Sequence, residues 1–485
     1  MCRLSSSWLI ERMRSSLTSA SRAATSSLGG AGPTGTSYAR PAAAPSASPP
    51  PAASSLDAAE IVVVGGGFGG LYTSLRLAAL EWRDAPPPRV TLVDRSEHFT
   101  FLPMLYELVT GAAAAWEVSP RFSDLLASSS ISFVHAEVTA LDRHARLLSI
   151  QPRDGAARQL PFDACVLALG SEPAPPPVSG GALALPFYTR EHALALRQTL
   201  QSRWPKPGAP PLRVVVVGGG YIGVELSANL ARWGRSDRAE GSAALAVSLV
   251  HRSDSLLDAS KPYSRKAAVS RLSRLGVHSV LDTSVEAMSE DAVALRPAAG
   301  GAEGYSLGAD VVLWAAGSRP NRLLASLGLP LDSRGRVCTD RFLRVSSLDG
   351  TLVDGFYALG DAATCGERED AVGGTPSTAQ AAMQQADYVA WNLRASMLGD
   401  KLLPFRFQDL GEMISLGEDA ASVSALGLVE LDGPLAAVSR RAVYAARMPT
   451  ASQAASVGAS WAVDSAVQML RNALKKAGAQ KQSKP

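Results

Sequence analysis

A glycine-rich turn between a short apolar strand and a helix occurs twice in this 485-residue chain, and that repeat constrains the fold more than any other feature. In the first copy, residues 60 to 64 (EIVVV) lead into Gly65-Gly66-Gly67-Phe68-Gly69-Gly70, and helical spacing continues through Leu71, Leu75 and Leu77. A G-x-G-x-x-G string alone is a weak signal, but its position between strand and helix makes it a strong one. Gly65 makes the tight turn, Gly67 lets a pyrophosphate approach the backbone, and Gly70 lets helix and strand pack closely. Phe68 falls between the glycines, where the helix N-terminus offers free N–H groups to an anion. A second strand, Val90 to Val93, ends in Asp94, whose carboxylate is placed to accept hydrogen bonds from ribose hydroxyls.

The second copy has a strand from Leu212 to Val217, then Gly218-Gly219-Gly220-Tyr221-Ile222-Gly223 and a helix through Val224, Leu226 and Leu230. Two such units imply two dinucleotides, most economically one FAD and one NADH or NADPH. The strand from Leu245 to Val250 ends in His251-Arg252 where the first unit has an acid. An acid there would repel a 2′-phosphate and an arginine can bind it, so Arg252, with Arg265 in support, favours NADPH or use of both donors. A solvated basic loop is the competing reading.

A third signal assigns the dinucleotides. Phe356-Tyr357-Ala358-Leu359-Gly360-Asp361 places an aspartate after a short strand and just before a long helix. In flavoproteins with two dinucleotides, this aspartate holds the ribityl chain of FAD and completes the fold begun at Gly65. The strand ends at Gly170 and Gly317 read as crossovers between the two units. The expected class is therefore α/β, with two Rossmann-like dinucleotide-binding domains and a C-terminal amphipathic membrane-association region. The expected divisions are a transit peptide and linker (1–55), an FAD domain in two parts (56–185 and 318–395), an inserted NAD(P)H domain (186–317), and a quinone and membrane-surface region (396–485).

Charge placement excludes one class of partner. The formal +3 includes Arg3, Arg12, Arg14, Arg22 and Arg40 against Glu11 in the first 55 residues, so the body is close to neutral. It has no basic stripe for nucleic acid. The Ser-, Ala- and Arg-rich leader, nearly free of acids, has the composition of an organelle transit peptide. No run approaches the ~18 apolar residues of a membrane span. Cys2, Cys165, Cys338 and Cys365 show no C-x-x-C or metal-type spacing, which argues against a dithiol site or a bound metal.

Several segments beyond the nucleotide motifs resemble the type II NAD(P)H:quinone oxidoreductases, the single-chain, non-pumping enzymes of respiratory and plastid membranes. The resemblance runs from about residue 60 to near the C-terminus. It is carried by residues 98–108 (HFTFLPMLYEL), by 375–386 (TPSTAQAAMQQA, with the A-Q-x-A-x-Q pattern intact) and by 405–413 (FRFQDLGEM), which resembles a strand opening the C-terminal region. Ser377 and Thr378 depart from the family wording. The wording is closest to the plant and algal subclass, which implies a plastid, at the thylakoid or plastoglobule surface, or a mitochondrion. The resemblance further implies that Gln380 and Gln384, at i and i+4 on one helix face, meet a quinone head group beside the flavin. It implies that Glu225 lies near nicotinamide and flavin, although an early-helix carboxylate that merely favours the helix dipole would look the same.

From residue 457 onward, Val463, Ala466, Val467, Leu470 and Leu474 share one helical face opposite Arg471, Lys475 and Lys476. Such a basic amphipathic helix suits a membrane interface where a prenylquinone is met, or packing on the enzyme's own body or on a second subunit as a homodimer. The expected activity is hydride transfer from NAD(P)H to FAD and two-electron reduction of a plastoquinone-, ubiquinone- or naphthoquinone-type acceptor without proton pumping. The alternatives are an NAD(P)H-sensing flavoprotein, or a reductase of ferredoxin or monodehydroascorbate.

Overall fold

A computed structural model describes residues 58–83, 85–236, 244–298, 303–364, 375–425 and 427–463. The expected leader, Cys2 and Cys365, and the tail beyond 463 lie outside these residues. Within the unit that starts at Asp57, the strand Glu60–Val64 is buried on both faces, as the unbroken EIVVV string requires of a central parallel strand. Ile61 and Val63 enter one apolar cluster and Val62 and Val64 another, so successive side chains fill the two faces of the sheet.

This sheet has eight strands in the order Arg344–Ser346, Leu352–Ala358, Ala164–Leu167, Glu60–Val64, Arg89–Asp94, Ser132–Asp142, Leu147–Pro152 and Arg158–Pro161. The five strands from Leu352–Ala358 to Ser132–Asp142 are mutually parallel, and antiparallel strands flank them on both sides. The late strand Leu352–Ala358 thus pairs directly with Ala164–Leu167 and carries Asp361 to the side of the sheet that holds Gly65.

The second glycine turn belongs to a separate parallel sheet, ordered His278–Val280, Leu245–Val250, Leu212–Val217, Val311–Trp314 and Leu185–Pro186. Val214 and Val216 share a cluster with Ile61 and Val63, while Val215 and Val217 pack on the opposite face. The chain leaves and re-enters through the short antiparallel pair Ser171–Pro173 and Ser318–Pro320, adjoining Gly170 and Gly317. The helix Ala379–Leu398 is capped by Thr378, whose side chain accepts from the Ala381 N–H. It lies beside the first-unit helix Phe68–Ala79, and Arg76 pairs with Asp387 across them at 2.5 Å.

The C-terminal segment folds as a three-stranded antiparallel sheet, Gly411–Ser415, Ala421–Ala425 and Val429–Asp432, followed by the helix Gly433–Ala446. The expectation of a strand across 405–413 holds only from Gly411. Residues 401–410 run without regular structure because their backbone is bound by side chains, as described below. Helix resumes at 451 and continues to 463. Among the described residues no helix is long and apolar enough to cross a membrane.

Candidate active site

The two glycine turns share the same backbone construction. Gly65 has φ +100° and Gly218 has φ +118°, conformations that favour glycine. A Cβ on Gly70 would stand 1.8 Å from the Gly65 carbonyl oxygen, and a Cβ on Gly223 would stand 1.8 Å from that of Gly218. These two glycines therefore permit helix and strand to touch. By contrast, a Cβ on Gly67 or Gly220 would meet nothing within 4 Å. Their faces open onto the cleft, where a dinucleotide backbone would lie.

The ends of the second strands are equivalent as well. The Gly66 N–H donates to Asp94 Oδ2, and the Ser96 N–H donates to Asp94 Oδ1 at 2.7 Å. Burial raises the Asp94 pKa, and these backbone bonds partly counter it. In the second unit the Gly219 N–H donates at 3.0 Å to His251 Nδ1. His251 thus takes the acid's place in the turn and keeps its proton on Nε2, which faces Asp258 at 3.8 Å. Arg252, named from sequence as the 2′-phosphate ligand, is exposed and does not line the cleft. The strand turns the adjacent His251 inward, because successive side chains alternate.

A single cleft of about 1960 Å³ joins the two turns; Gly65, Gly67, Phe68, Asp94, Gly170, Gly220, Glu225, Gly317, Asp361 and Gln380 all contribute to its lining. The Phe68 side chain is nearly buried, edge-on to Phe99 and Phe101 with ring centroids 5.2 and 5.3 Å away. Gly70, Gly218 and Gly223 stand behind the lining as packing glycines.

Asp361 Oδ2 accepts from the Ser171 hydroxyl at 2.8 Å, and that hydroxyl also meets the Tyr188 hydroxyl at 2.7 Å. Burial raises the Asp361 pKa and the Ser171 bond lowers it. A carboxylate can accept about four hydrogen bonds, so Asp361 retains capacity toward the cleft for ligand hydroxyls. Gln385, two per cent exposed, accepts from the Gly360 N–H at 2.6 Å and ties this turn to the long helix. The open face of Gly67, the backbone-held Asp94 and the cleft-facing Asp361 suit the pyrophosphate, ribose and ribityl parts of FAD.

The glutamine pair is used differently from the expectation. Gln380 lines the cleft, yet its amide donates to the Gly411 carbonyl at 3.1 Å and accepts from the Leu410 N–H at 3.2 Å. Gln384 does not line the cleft, and its amide is matched to both backbone groups of Gln408 at 2.8 and 2.9 Å. Both side chains take the part of a neighbouring strand for residues 408–411, so the two amides do not converge on one ligand. This also explains why that segment needs no strand partner.

Glu225 is buried, with Oε1 accepting from the Ser415 N–H at 2.9 Å. Its pKa is pushed up to about 8, chiefly by burial, with opposing help from the Ser415 N–H, Arg440 and Tyr106. Beside it stand Tyr106 and Glu107, from the segment 98–108, and Arg440 and Tyr444, which carry no sequence motif. Arg440 Nη1 donates to the Tyr106 hydroxyl at 2.9 Å and Nη2 to Glu107 Oε1 at 2.6 Å. The Cys165 thiol is buried and pushed up to about 12, which leaves it without thiolate character.

Comparison with known proteins agrees with this geometry. Residues 59–386 match the family model described as pyridine nucleotide-disulphide oxidoreductase. The chain is 39% identical to the demethylphylloquinone reductase NdbB of Synechocystis over 82% of its own length and 94% of that protein's. It is 37% identical to the Arabidopsis thaliana alternative NAD(P)H-ubiquinone oxidoreductase C1, chloroplastic/mitochondrial, over 83% of this chain and 80% of that one. The chain belongs to the type II NAD(P)H:quinone oxidoreductases. The fold matches that of Plasmodium falciparum NDH2 in complex with NADH at a TM-score of 0.70 and 16% identity, covering 82% of this chain and 96% of that one. A type II oxidoreductase carries FAD and uses NAD(P)H, and the two glycine turns of one cleft are where this chain would hold them.

Proposed function

We propose that this protein reduces a membrane prenylquinone with NADH or NADPH in the joint cleft. FAD would be held by Gly65, Gly67, Phe68, Asp94, Gly170, Gly317 and Asp361, with Gly70 packing the turn from behind, and would supply the hydride-accepting and two-electron chemistry. The donor lies on the turn formed by Gly218, Gly220 and Gly223. The observation that carries the reading is that one cleft contains both turns, Asp361, Glu225 and Gln380. The overall change is NAD(P)H + H⁺ + quinone → NAD(P)⁺ + quinol. The hydride brings one hydrogen, and one proton must come from the medium. Glu225 holds a proton at neutral pH and lines the cleft, so it is the group suited to pass that proton on. Gln380 holds the Leu410–Gly411 backbone, and Gln384 holds Gln408, as the wall beside which the quinone head group enters.

The acceptor class follows from the relatives, a demethylphylloquinone reductase and an NAD(P)H-ubiquinone oxidoreductase, and favours a long-tailed quinone. The helix Gly433–Ala446 exposes Leu435, Val438 and Val443, at 63%, 67% and 39%, while its other side packs inward. Val443 and Tyr444 also line the cleft. An apolar stripe that reaches the cleft mouth supports docking on a membrane or plastoglobule surface, from which a lipophilic quinone can enter. The chloroplastic/mitochondrial and cyanobacterial relatives are consistent with a plastid, with a mitochondrion as the alternative. His251 in place of an acid removes a repulsion against NADPH, which supports use of either donor. A homodimer would compete for the same exposed stripe.

Stopped-flow reduction of the holoenzyme by each donor, followed by mixing with a short-chain plastoquinone or naphthoquinone, tests the reading. Fast reoxidation by quinone is the expected result. Fast reduction with no acceleration by any quinone would overturn it.

A further inference from the structure

Arg440 is three per cent exposed, and both it and Glu107 lie almost wholly out of solvent. Burying such a pair is weak as a stabilising device, because desolvation offsets the attraction. The pair is also incompletely satisfied, since Arg440 Nε and Glu107 Oε2 have no hydrogen-bond partner. Arg441 Nη2 comes only to 3.8 Å of Glu107 Oε2. An apolar contact would hold the helix at least as well, so the charge calls for another explanation.

The directions of the bonds supply one. An arginine can only donate, so the Tyr106 oxygen accepts from Arg440. The single Tyr106 proton is then left for a different acceptor, and Glu225, which lines the same cleft, is the carboxyl placed to take it. Three separate parts of the chain converge here: Tyr106 and Glu107 from the helix Leu105–Thr110, Glu225 from Tyr221–Ser236, and Arg440 from Gly433–Ala446.

We infer that Arg440 is a positioning residue: it orients the Tyr106 hydroxyl onto Glu225 and thereby couples seating of the C-terminal helix to the protonation of the cleft carboxyl. The inference rests on the proton-donor reading of Glu225. The groups facing Glu225 are Tyr106 and Glu107 from one helix, Arg440 and Tyr444 from another, and Tyr221 on its own helix. Burial is the main force raising the Glu225 pKa, Glu107 adds to it, and Arg440 and Tyr106 oppose it. Burial alone would lower the Arg440 pKa, but Tyr106, Glu107 and Tyr444 outweigh it and the guanidinium stays charged. Removal of Arg440 or of the Tyr106 hydroxyl therefore moves the Glu225 titration to higher pH.

The test is a pH titration of the full-length holoenzyme by infrared spectroscopy, following the protonated-carboxyl band identified by its loss in Glu225→Gln. Tyr106→Phe, by loss of a hydrogen-bond donor, and Arg440→Met, by loss of a nearby charge, should each move the midpoint upward, the latter by about one unit. Arg440→Lys should keep the midpoint near that of the unaltered enzyme. The pH at which quinone-driven reoxidation slows should move with the band. An unmoved midpoint in Tyr106→Phe overturns the inference, even where Arg440→Met fails to fold. If Glu225→Gln leaves reoxidation and its pH profile unchanged, the proton-donor reading fails and takes the coupling to catalysis with it. The infrared midpoints still report separately whether Arg440 orients Tyr106.

Discussion

Gly67→Ala and Gly70→Ala should damage the first dinucleotide site by opposite routes. At Gly70 the new methyl would be placed 1.8 Å from the Gly65 carbonyl oxygen, inside a helix that fixes its direction. Carbon and oxygen cannot approach so closely, so helix and turn must separate by more than an ångström. Gly65 cannot give way freely, because its own Cβ direction runs into the Ala168 carbonyl at 2.4 Å. Overpacking of this kind costs about 1–3 kcal/mol. If the displaced turn loses that much in binding, FAD affinity falls roughly 5- to 150-fold, and the protein itself is destabilised. At Gly67 the methyl meets nothing within 4 Å, and φ −72° suits any residue. That variant should fold and melt normally, yet lose FAD because the methyl occupies the ligand's space. The assay is flavin content of the purified proteins together with thermal melting after flavin removal. Equal melting of the two flavin-free variants, or full flavin retention by Gly70→Ala, would refute this division of roles.

The same contrast should appear in the second unit, where Gly220→Ala raises the KM for NADH and NADPH with flavin content unchanged, as steady-state kinetics would register. Asp361→Ala should lower flavin content, since it removes a cleft-facing acceptor held by Ser171; the visible spectrum of the purified protein reports this. Quinone-driven reoxidation should slow as pH rises through about 8, because the proton-carrying form of Glu225 is the useful one, and Glu225→Gln should flatten that limb. The stability sign is also set: a carboxyl raised by burial penalises the folded state increasingly as pH climbs from its ordinary range toward 8. Glu225→Gln should therefore raise the melting temperature more at pH 9 than at pH 5, and an equal gain at both would contradict the burial argument. Leu435→Glu with Val438→Glu should weaken flotation with anionic vesicles while leaving reduction of a short-chain quinone intact.

The two glycine turns, the strands before them, and the carboxylates Asp94 and Asp361 were legible in the amino-acid sequence because each is a local requirement. A turn at positive φ, a touching helix and an acid at a strand end leave marks at short, regular spacing. The order of the units follows from the same marks, since Asp361 follows a strand that returns to the first sheet. What the two glutamines do was not legible. Their spacing places them on one helix face, but only the path of residues 408–411 turns their amides onto backbone. His251 was half legible, as a missing acid, although its bond to Gly219 depends on the fold of the turn. The network of Tyr106, Glu107, Glu225 and Arg440 was not legible as a network: the segment 98–108 and Glu225 stood out singly, Arg440 did not, and nothing in the sequence brought them together. Its members come from three helices, and contacts between distant polar side chains have no period along the chain. Their meeting, and the raised Glu225 pKa that results, exist only once both sheets and the C-terminal helix have closed around a common interior.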